Sequence, residues 1–163
     1  MPAARPRART TTPLAPPAPV DPLVETWAIN DRVTRYLVAA LADDDLALAL
    51  APKHRTIRAI LAHLHAVRRA WIAPSDAALA APLASVPDDA DVATIIAALD
   101  ASGAAMTAML ADRVATGTRP SGFRPHTAAF VGHHRAQVIW TRKAHGRPLP
   151  KTVAFGLWEW GTR

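Results

Sequence analysis

The sequence contains no cysteine and is poor in glycine, glutamate and aromatic residues. Without cysteine among its 163 residues, the chain cannot form disulfides, thiolate-ligated zinc sites or iron–sulfur clusters, and it has no cysteine nucleophile. Seven glycines and 6% aromatic residues, beside 50% hydrophobic residues, favour helices over a β-sandwich or barrel. Glu25 and Glu159 are its only glutamates, too few for a di-iron carboxylate bundle with Glu-x-x-His pairs.

Long apolar runs and phosphate-binding motifs are also missing. No uninterrupted apolar stretch reaches about 18 residues, which argues against a membrane-spanning helix. Residues 1–22 contain arginines but no apolar core segment, so they do not match a secretory signal. A glycine-rich phosphate loop and a G-x-S-x-G elbow are both absent. We therefore expect a cytoplasmic protein without a membrane partner.

The net charge of +6 raises the question of nucleic-acid binding. Basic and acidic segments alternate along the chain, however: 51–71 is basic, 72–112 is acidic and 113–163 is basic. The sequence shows neither a helix-turn-helix pattern nor a lysine/arginine run beside aromatic residues. We therefore expect no nucleic-acid partner.

The composition divides the chain into a tail and one folded domain. Residues 1–22 hold seven prolines, three arginines and a run of three threonines, a stretch that cannot bury an apolar surface. We predict a disordered tail over 1–22. The remainder, 23–163, is long enough to bury a core as a single domain.

Four segments of the domain repeat apolar residues every three or four positions, as one face of an α-helix does. The predicted helices span 22–42, 55–72, 91–115 and 126–145. Asp21 can cap the first helix, Pro22 suits its first position, and Gly146 suits the end of the fourth. A loop over 73–90 makes one long connection, and a short aromatic segment ends the chain. This pattern predicts an all-α fold, an up-down four-helix bundle.

Histidine is the candidate metal ligand that clusters in this sequence. At about 100° per residue, His63 lies on the apolar face of the second helix, whereas His65 lies at the edge of that face or outside it. On the fourth helix, His134 shares a face with Phe130 and Val138 and points inward. Two inward histidines can meet in a bundle core and hold zinc, nickel or iron. Each can equally be an ordinary hydrogen-bonded core residue.

Two stretches, ILAHLHAVRRAW over 60–71 and FVGHHRAQ over 130–137, carry a more specific pattern. The first resembles the second helix of the DinB-like (DinB/YfiT) family. The second resembles that family's fourth-helix signature, H-x-x-H-H-R-G-Q. The C-terminal segment 146–161 resembles one branch of the family, and Asn30 after Trp27 fits its first helix. The resemblance covers about residues 23–161.

The resemblance implies a homodimeric four-helix bundle that holds a divalent metal, zinc or nickel, with three histidines. It implies an enzyme that transfers or isomerises a small-molecule substrate with a low-molecular-weight thiol such as bacillithiol, mycothiol or glutathione. A bound cation lowers the pKa of a coordinated thiol or water and generates a nucleophile at neutral pH. The thiol would come from the cofactor, so the absence of cysteine is no obstacle.

The implied ligands match this sequence only in part. His63 matches the ligand on helix two, and His134 matches the second histidine of helix four. Phe130 stands where the remaining histidine is expected, and a phenyl ring cannot bind metal. His126, one turn further up, is the candidate replacement.

Three further residues near the signature are candidates to support the ligands or orient substrate: His133, Arg135 and Gln137. Arg135 can instead form a surface or dimer-contact salt bridge.

The alternative function is a metal-free bundle that binds a small molecule or a protein, with Phe130 filling the former metal pocket. The residues that then line a pocket or a dimer interface are Trp71, Trp140, Trp158 and Trp160. For Trp71 and Trp140, packing in the core is the expected role.

Overall fold

The structure is a computed structural model that describes residues 20–118 and 126–162, without the side chains of 126–129. Most of the predicted tail over 1–22 therefore lies outside the described residues, and the tail stays a prediction. The third and fourth predicted helices correspond to α4 and α5 below.

Helices account for all the regular structure of the described residues. The elements are α1 (Pro22–Val38), a 3₁₀ helix (Asp43–Ala47), α2 (Ile57–Ile72), α3 (Ala77–Ala80), α4 (Val92–Ala115), α5 (His126–Ala144) and α6 (Lys151–Gly156). Across these ranges no strand forms, and Ala49 and Thr56 make an isolated β-bridge. The predicted all-α class is confirmed, with α3 and α6 as two short helices that the apolar pattern did not predict.

Side-chain caps explain where α1 begins and why it is shorter than predicted. The Asp21 carboxylate accepts a hydrogen bond from the backbone N of Leu23 at 2.8 Å, and Pro22 takes the first position, as predicted. The helix ends at Val38 rather than at 42. The buried Asp45 carboxylate accepts from the backbone N of Ala42 at 3.0 Å. This contact stabilises the separate 3₁₀ helix where further helical turns were expected.

The four long helices pack around one core. α1 packs against α4 and α5, and α2 packs against the same two helices. The largest buried apolar side chains include Trp27, Leu37, Leu61, Leu64, Ile95, Leu99, Met106 and Met109. The pairing agrees with a helical bundle, while the up-down order of the helices stays a prediction.

α4 is, among the described helices, the one long and apolar enough to cross a membrane by length and composition alone. Core helices of soluble proteins pass the same test. Ile95, Leu99 and Met106 of α4 are fully buried, and α4 packs against α1 and α2. These contacts account for its apolar character.

A buried ion pair links α1, α2 and α4. The Arg68 side chain is 0% exposed, and its Nη1 lies 2.8 Å from Oδ1 of Asp31. The same Nη1 donates to the carbonyl oxygen of Leu99 at 2.9 Å. The guanidinium also lies 5.1 Å from the centroid of the Trp27 ring. Removing one partner of such a pair costs about 3–5 kcal/mol, because a buried charge loses its compensation.

Gly103 allows α4 to approach this ion pair closely. A Cβ at position 103 would lie 2.6 Å from Oδ2 and 2.7 Å from Oδ1 of Asp31. Any larger residue would therefore collide with the carboxylate that neutralises Arg68. The contact with Asp31 explains a glycine within the buried stripe of a long helix, where glycine is otherwise unfavourable.

Ion pairs connect the segment after α5 to the 3₁₀ helix that follows α1. Nη1 of Arg147 lies 2.7 Å from Asp44 and 3.1 Å from Asp45. The α6 helix then packs on α1 so closely that a Cβ at Gly156 would lie 2.5 Å from Oη of Tyr36. These contacts hold the C-terminal segment beside α1 and α5.

Candidate functional site

The structure brings His63 and His134 together between α2 and α5. Their ring centroids lie 5.3 Å apart. His134 is buried and His63 is half-buried. Both residues therefore lie on the sides of their helices that face each other, as the helical spacing indicated.

The hydrogen bonding of His134 leaves one ring nitrogen available to a ligand. Its Nδ1 lies 2.9 Å from the carbonyl oxygen of Phe130, one turn earlier on α5. A carbonyl oxygen only accepts, so Nδ1 carries the proton of the neutral ring and Nε2 keeps a lone pair. Metal-binding histidines characteristically donate their other N–H in this way.

Burial favours the neutral form of both imidazoles. Burial lowers the pKa of His63 below 6.5, and the positive charge of Arg55 and the neighbouring His134 lower it further. Burial also lowers the pKa of His134, outweighing the opposite effect of its hydrogen bond to Phe130. The neutral ring is the form that binds a metal ion.

The Phe130 side chain packs directly beside this pair. Its ring centroid lies 4.3 Å from that of His134 and 6.1 Å from that of His63. The ring of Trp71 contacts it edge-on, with centroids 5.7 Å apart. Within the described part of the chain, no three His, Asp or Glu side chains form a metal-binding group. The pair thus offers two ligands of a suitable type, one fewer than a catalytic zinc site usually has.

The other two candidate histidines of α5 do not add a described ligand. His126 is the first residue of α5, and its side chain lies outside the described residues. His133 is exposed, and its ring stands at 89° to that of His134 with centroids 5.4 Å apart. His133 is therefore beside the pair, on the solvent side of α5.

Arg135 makes its described contacts within the bundle, rather than in the surface salt bridge that was the alternative expectation; a dimer contact stays a prediction. Its Nη1 donates to the backbone oxygen of Asn30 at 3.2 Å, to the side-chain oxygen of Asn30, and to Oγ1 of Thr34 at 2.9 Å. Gln137, two residues further along α5, lies beside a small cavity of about 110 Å³, which Thr141 also lines. Arg135 and Gln137 thus lie on different sides of α5.

His65 is buried, which corrects the expectation that it lies at the edge of the apolar face or outside it. The side chain is 2% exposed, and its Nε2 donates to the carbonyl oxygen of Ala84 at 2.7 Å. Ala84 belongs to the connection between α2 and α4, which covers a face of α2 that the bundle leaves open. This cover comes from a connection without helical periodicity, which the spacing of apolar residues in α2 does not predict.

A cleft of about 250 Å³ lies along α2 beside His63. His65 and Arg69 also line it, and Ser85 and Val86 of the same connection form its other wall. A small molecule in this cleft would contact His63.

The tryptophans divide between the core and the surface. Trp71 packs against Phe130, as expected, but Trp140 is 58% exposed, which contradicts its expected place in the core. Six positions after His134, Trp140 lies on the outer side of α5. Trp158 and Trp160 are exposed too, with ring centroids 6.0 Å apart.

A larger cavity, about 600 Å³, lies behind α5, bounded by α1 and the C-terminal segment. The cavity depends on where α6 packs, which the sequence pattern does not predict. Its lining is mostly apolar and includes two cations, Arg135 and Lys143.

Comparison with known proteins identifies a family. The family model described as the DinB family matches residues 17–146, which is most of the chain. No curated protein and no solved structure matches this sequence.

Proposed function

We propose, because this chain belongs to the DinB family, that it is an enzyme acting with a divalent metal and a low-molecular-weight thiol. It would transfer or isomerise a small-molecule substrate. The observation that carries the proposal is the pair of neutral imidazoles, His63 and His134, with Nε2 of His134 free to bind an ion.

His63 and His134 would hold the ion, and His126 or a water molecule would complete its ligands. Two imidazoles suit zinc or nickel. When bound, the ion supplies the charge that lowers the pKa of a coordinated thiol.

The surrounding residues have roles of their own in this proposal. The Phe130 carbonyl sets the tautomer and the ring orientation of His134, and the Phe130 ring, which Trp71 contacts, packs against His134. Arg55 supplies a positive charge near both histidines, which favours an anionic thiol or substrate. His133 and Gln137 are further candidates to orient that substrate. Family membership supports a homodimer located in the cytoplasm.

A second candidate function is a metal-free bundle that binds a small molecule or a protein partner. The packing of Phe130 against His134, at 4.3 Å between centroids, favours it. In this alternative Phe130 replaces a metal ligand with apolar volume, and the two histidines remain as packed, hydrogen-bonded residues.

Elemental analysis of protein purified without a histidine tag or chelator separates the two functions. The enzyme proposal expects about one zinc or nickel ion per chain, lost in His63→Ala and kept in the control His145→Ala. His145 is exposed and its Nε2 contacts the carbonyl of Ala49, away from the pair. Wild-type protein that stays metal-free after incubation with zinc and nickel refutes the enzyme proposal.

The Phe130→His variant then tests the alternative. If wild type binds no metal and Phe130→His does, Phe130 is the replacement that closed the site. If wild type binds metal, assays with bacillithiol, mycothiol and glutathione follow.

A further inference from the structure

The cavity behind α5 has the size and walls of a small-molecule site. At about 600 Å³ it lies within the range of ligand pockets, roughly 300–1,000 Å³. One wall is a single face of α5, formed by Gly132, Arg135, Ala136, Ile139 and Lys143.

The opposite wall comes from α1 and the C-terminal segment. Its apolar residues include Val33, Leu149, Ala154, Leu157 and Trp158. The cavity thus has an apolar body with charged groups along one side.

Arg135 brings an uncompensated positive charge to this cavity. The partners described for its guanidinium are neutral oxygens of Asn30 and Thr34, and all three hydrogen bonds use Nη1. Arginine has a second donor edge, Nε and Nη2, which matches a carboxylate. The half-buried position strengthens its attraction for an anion relative to bulk water.

Lys143 is the second cation of the lining, and its Nζ lies over the ring of the exposed Trp140, 5.0 Å from the centroid. It lies two turns after Ala136 along the same face of α5, and none of the lining residues is acidic. The only charged groups of the lining are therefore positive.

We propose that this cavity binds an apolar molecule that carries one carboxylate. The apolar body lies between α5 and the C-terminal segment, and the carboxylate pairs with Arg135. The site is separate from the His63–His134 pair, so it does not depend on the proposed metal enzyme.

Other occupants fit the charges less well. The tail 1–22 brings three arginines of the same sign as Arg135 and Lys143. In a two-fold symmetric contact, a second copy of this chain would bring the same positive face. A small carboxylate complements both the charge and the apolar walls.

Isothermal titration of the full chain with decanoate and with 1-decanol tests the proposal, since the two probes share one apolar chain. We expect one decanoate per chain, bound at least tenfold more tightly than 1-decanol. Arg135→Gln should weaken decanoate binding by about 10- to 100-fold and leave 1-decanol almost unchanged. The control Arg58→Gln, which loses a comparable hydrogen bond to the carbonyl of Ala90, should bind decanoate as wild type does.

A second variant keeps the proposal testable if Arg135→Gln does not fold. Ala136→Leu keeps every charge and occupies part of the cavity, so it should weaken both probes. His63→Ala should bind decanoate normally even where metal is lost. Equal binding of both probes to wild type overturns the proposal. Unchanged decanoate binding in Arg135→Gln or Ala136→Leu also overturns it. A protein that sediments as a dimer and binds neither probe overturns it as well.

Discussion

Replacing Gly103 with alanine should destabilise the protein, although the same change usually stabilises a helix. In a helix interior, alanine is favoured over glycine by about 1 kcal/mol. At position 103 the new Cβ would lie 2.6 Å from the Asp31 carboxylate. Asp31 can rotate away only by leaving Arg68, whose side chain has no exposure to water.

The two opposing effects set the size of the change. Loss of a buried ion-pair partner costs about 3–5 kcal/mol, and the higher helix propensity of alanine offsets about 1 kcal/mol of this cost. The free energy of unfolding should therefore fall by about 2–4 kcal/mol. For a chain of this size, we expect the midpoint of thermal unfolding to fall by about 5–15 °C. Urea and thermal unfolding followed by circular dichroism measure both quantities.

Gly132 provides the matched control. It also lies within a long helix, but its added Cβ would meet only Nη2 of Arg135, at an ordinary 3.7 Å. Gly132→Ala should therefore stabilise the protein by about 0.5–1 kcal/mol.

A change of background tests the cause. In the Asp31→Ala/Arg68→Met double variant, Gly103→Ala should become stabilising, because the carboxylate is gone. If Gly103→Ala leaves wild type as stable as before, or destabilises both backgrounds equally, the collision with Asp31 is not the cause.

Three other predictions concern the histidine pair and the C-terminal segment. Phe130→Ala should lower the free energy of unfolding by about 1–3 kcal/mol in urea titrations, less than for a fully buried ring, because Phe130 is partly exposed. The pKa values of His63 and His134 lie below 6.5 in the folded state. As the pH falls below 6.5, the unfolded chain therefore binds more protons than the folded chain. The free energy of unfolding should have its full value above pH 6.5 and decrease below it. His134→Gln should make that decrease shallower, and an unchanged pH profile would contradict the assignment. Gly156→Ala places a Cβ 2.5 Å from Oη of Tyr36; it should displace α6, shift the tryptophan fluorescence and weaken decanoate binding, whereas an unchanged emission spectrum would show that α6 tolerates the side chain.

The positions of the long helices follow from local information in the sequence. The apolar spacing of Ile60, Leu61 and Leu64 marks the buried face of α2, and Asp21 marks the start of α1 through its own side chain. Both signals act over a few residues, so they can be identified without the tertiary structure. The inward direction of His63 and His134 follows from the same spacing.

The missed features depend on contacts between distant segments. The residues next to Arg68 in the sequence do not indicate whether its side chain is buried. The contact with Asp31 of α1 explains the burial. His65 is buried by Ala84, which belongs to a connection without helical periodicity. The cavity behind α5 requires α6 to pack on α1 through Tyr36 and Gly156. One available signal was the glycine in the stripe of α4, which marks a close approach.

Three consecutive residues of α5 have three different surroundings: His133 faces solvent, His134 faces His63, and Arg135 binds the oxygens of α1. The three residues form one motif in the sequence, but each of them meets a different structural requirement. Arg135 joins α1 to α5 whether or not an ion binds at His134. Selection for folding alone would keep Arg135 in a chain that no longer binds a metal. Only the histidine pair is therefore evidence for metal chemistry.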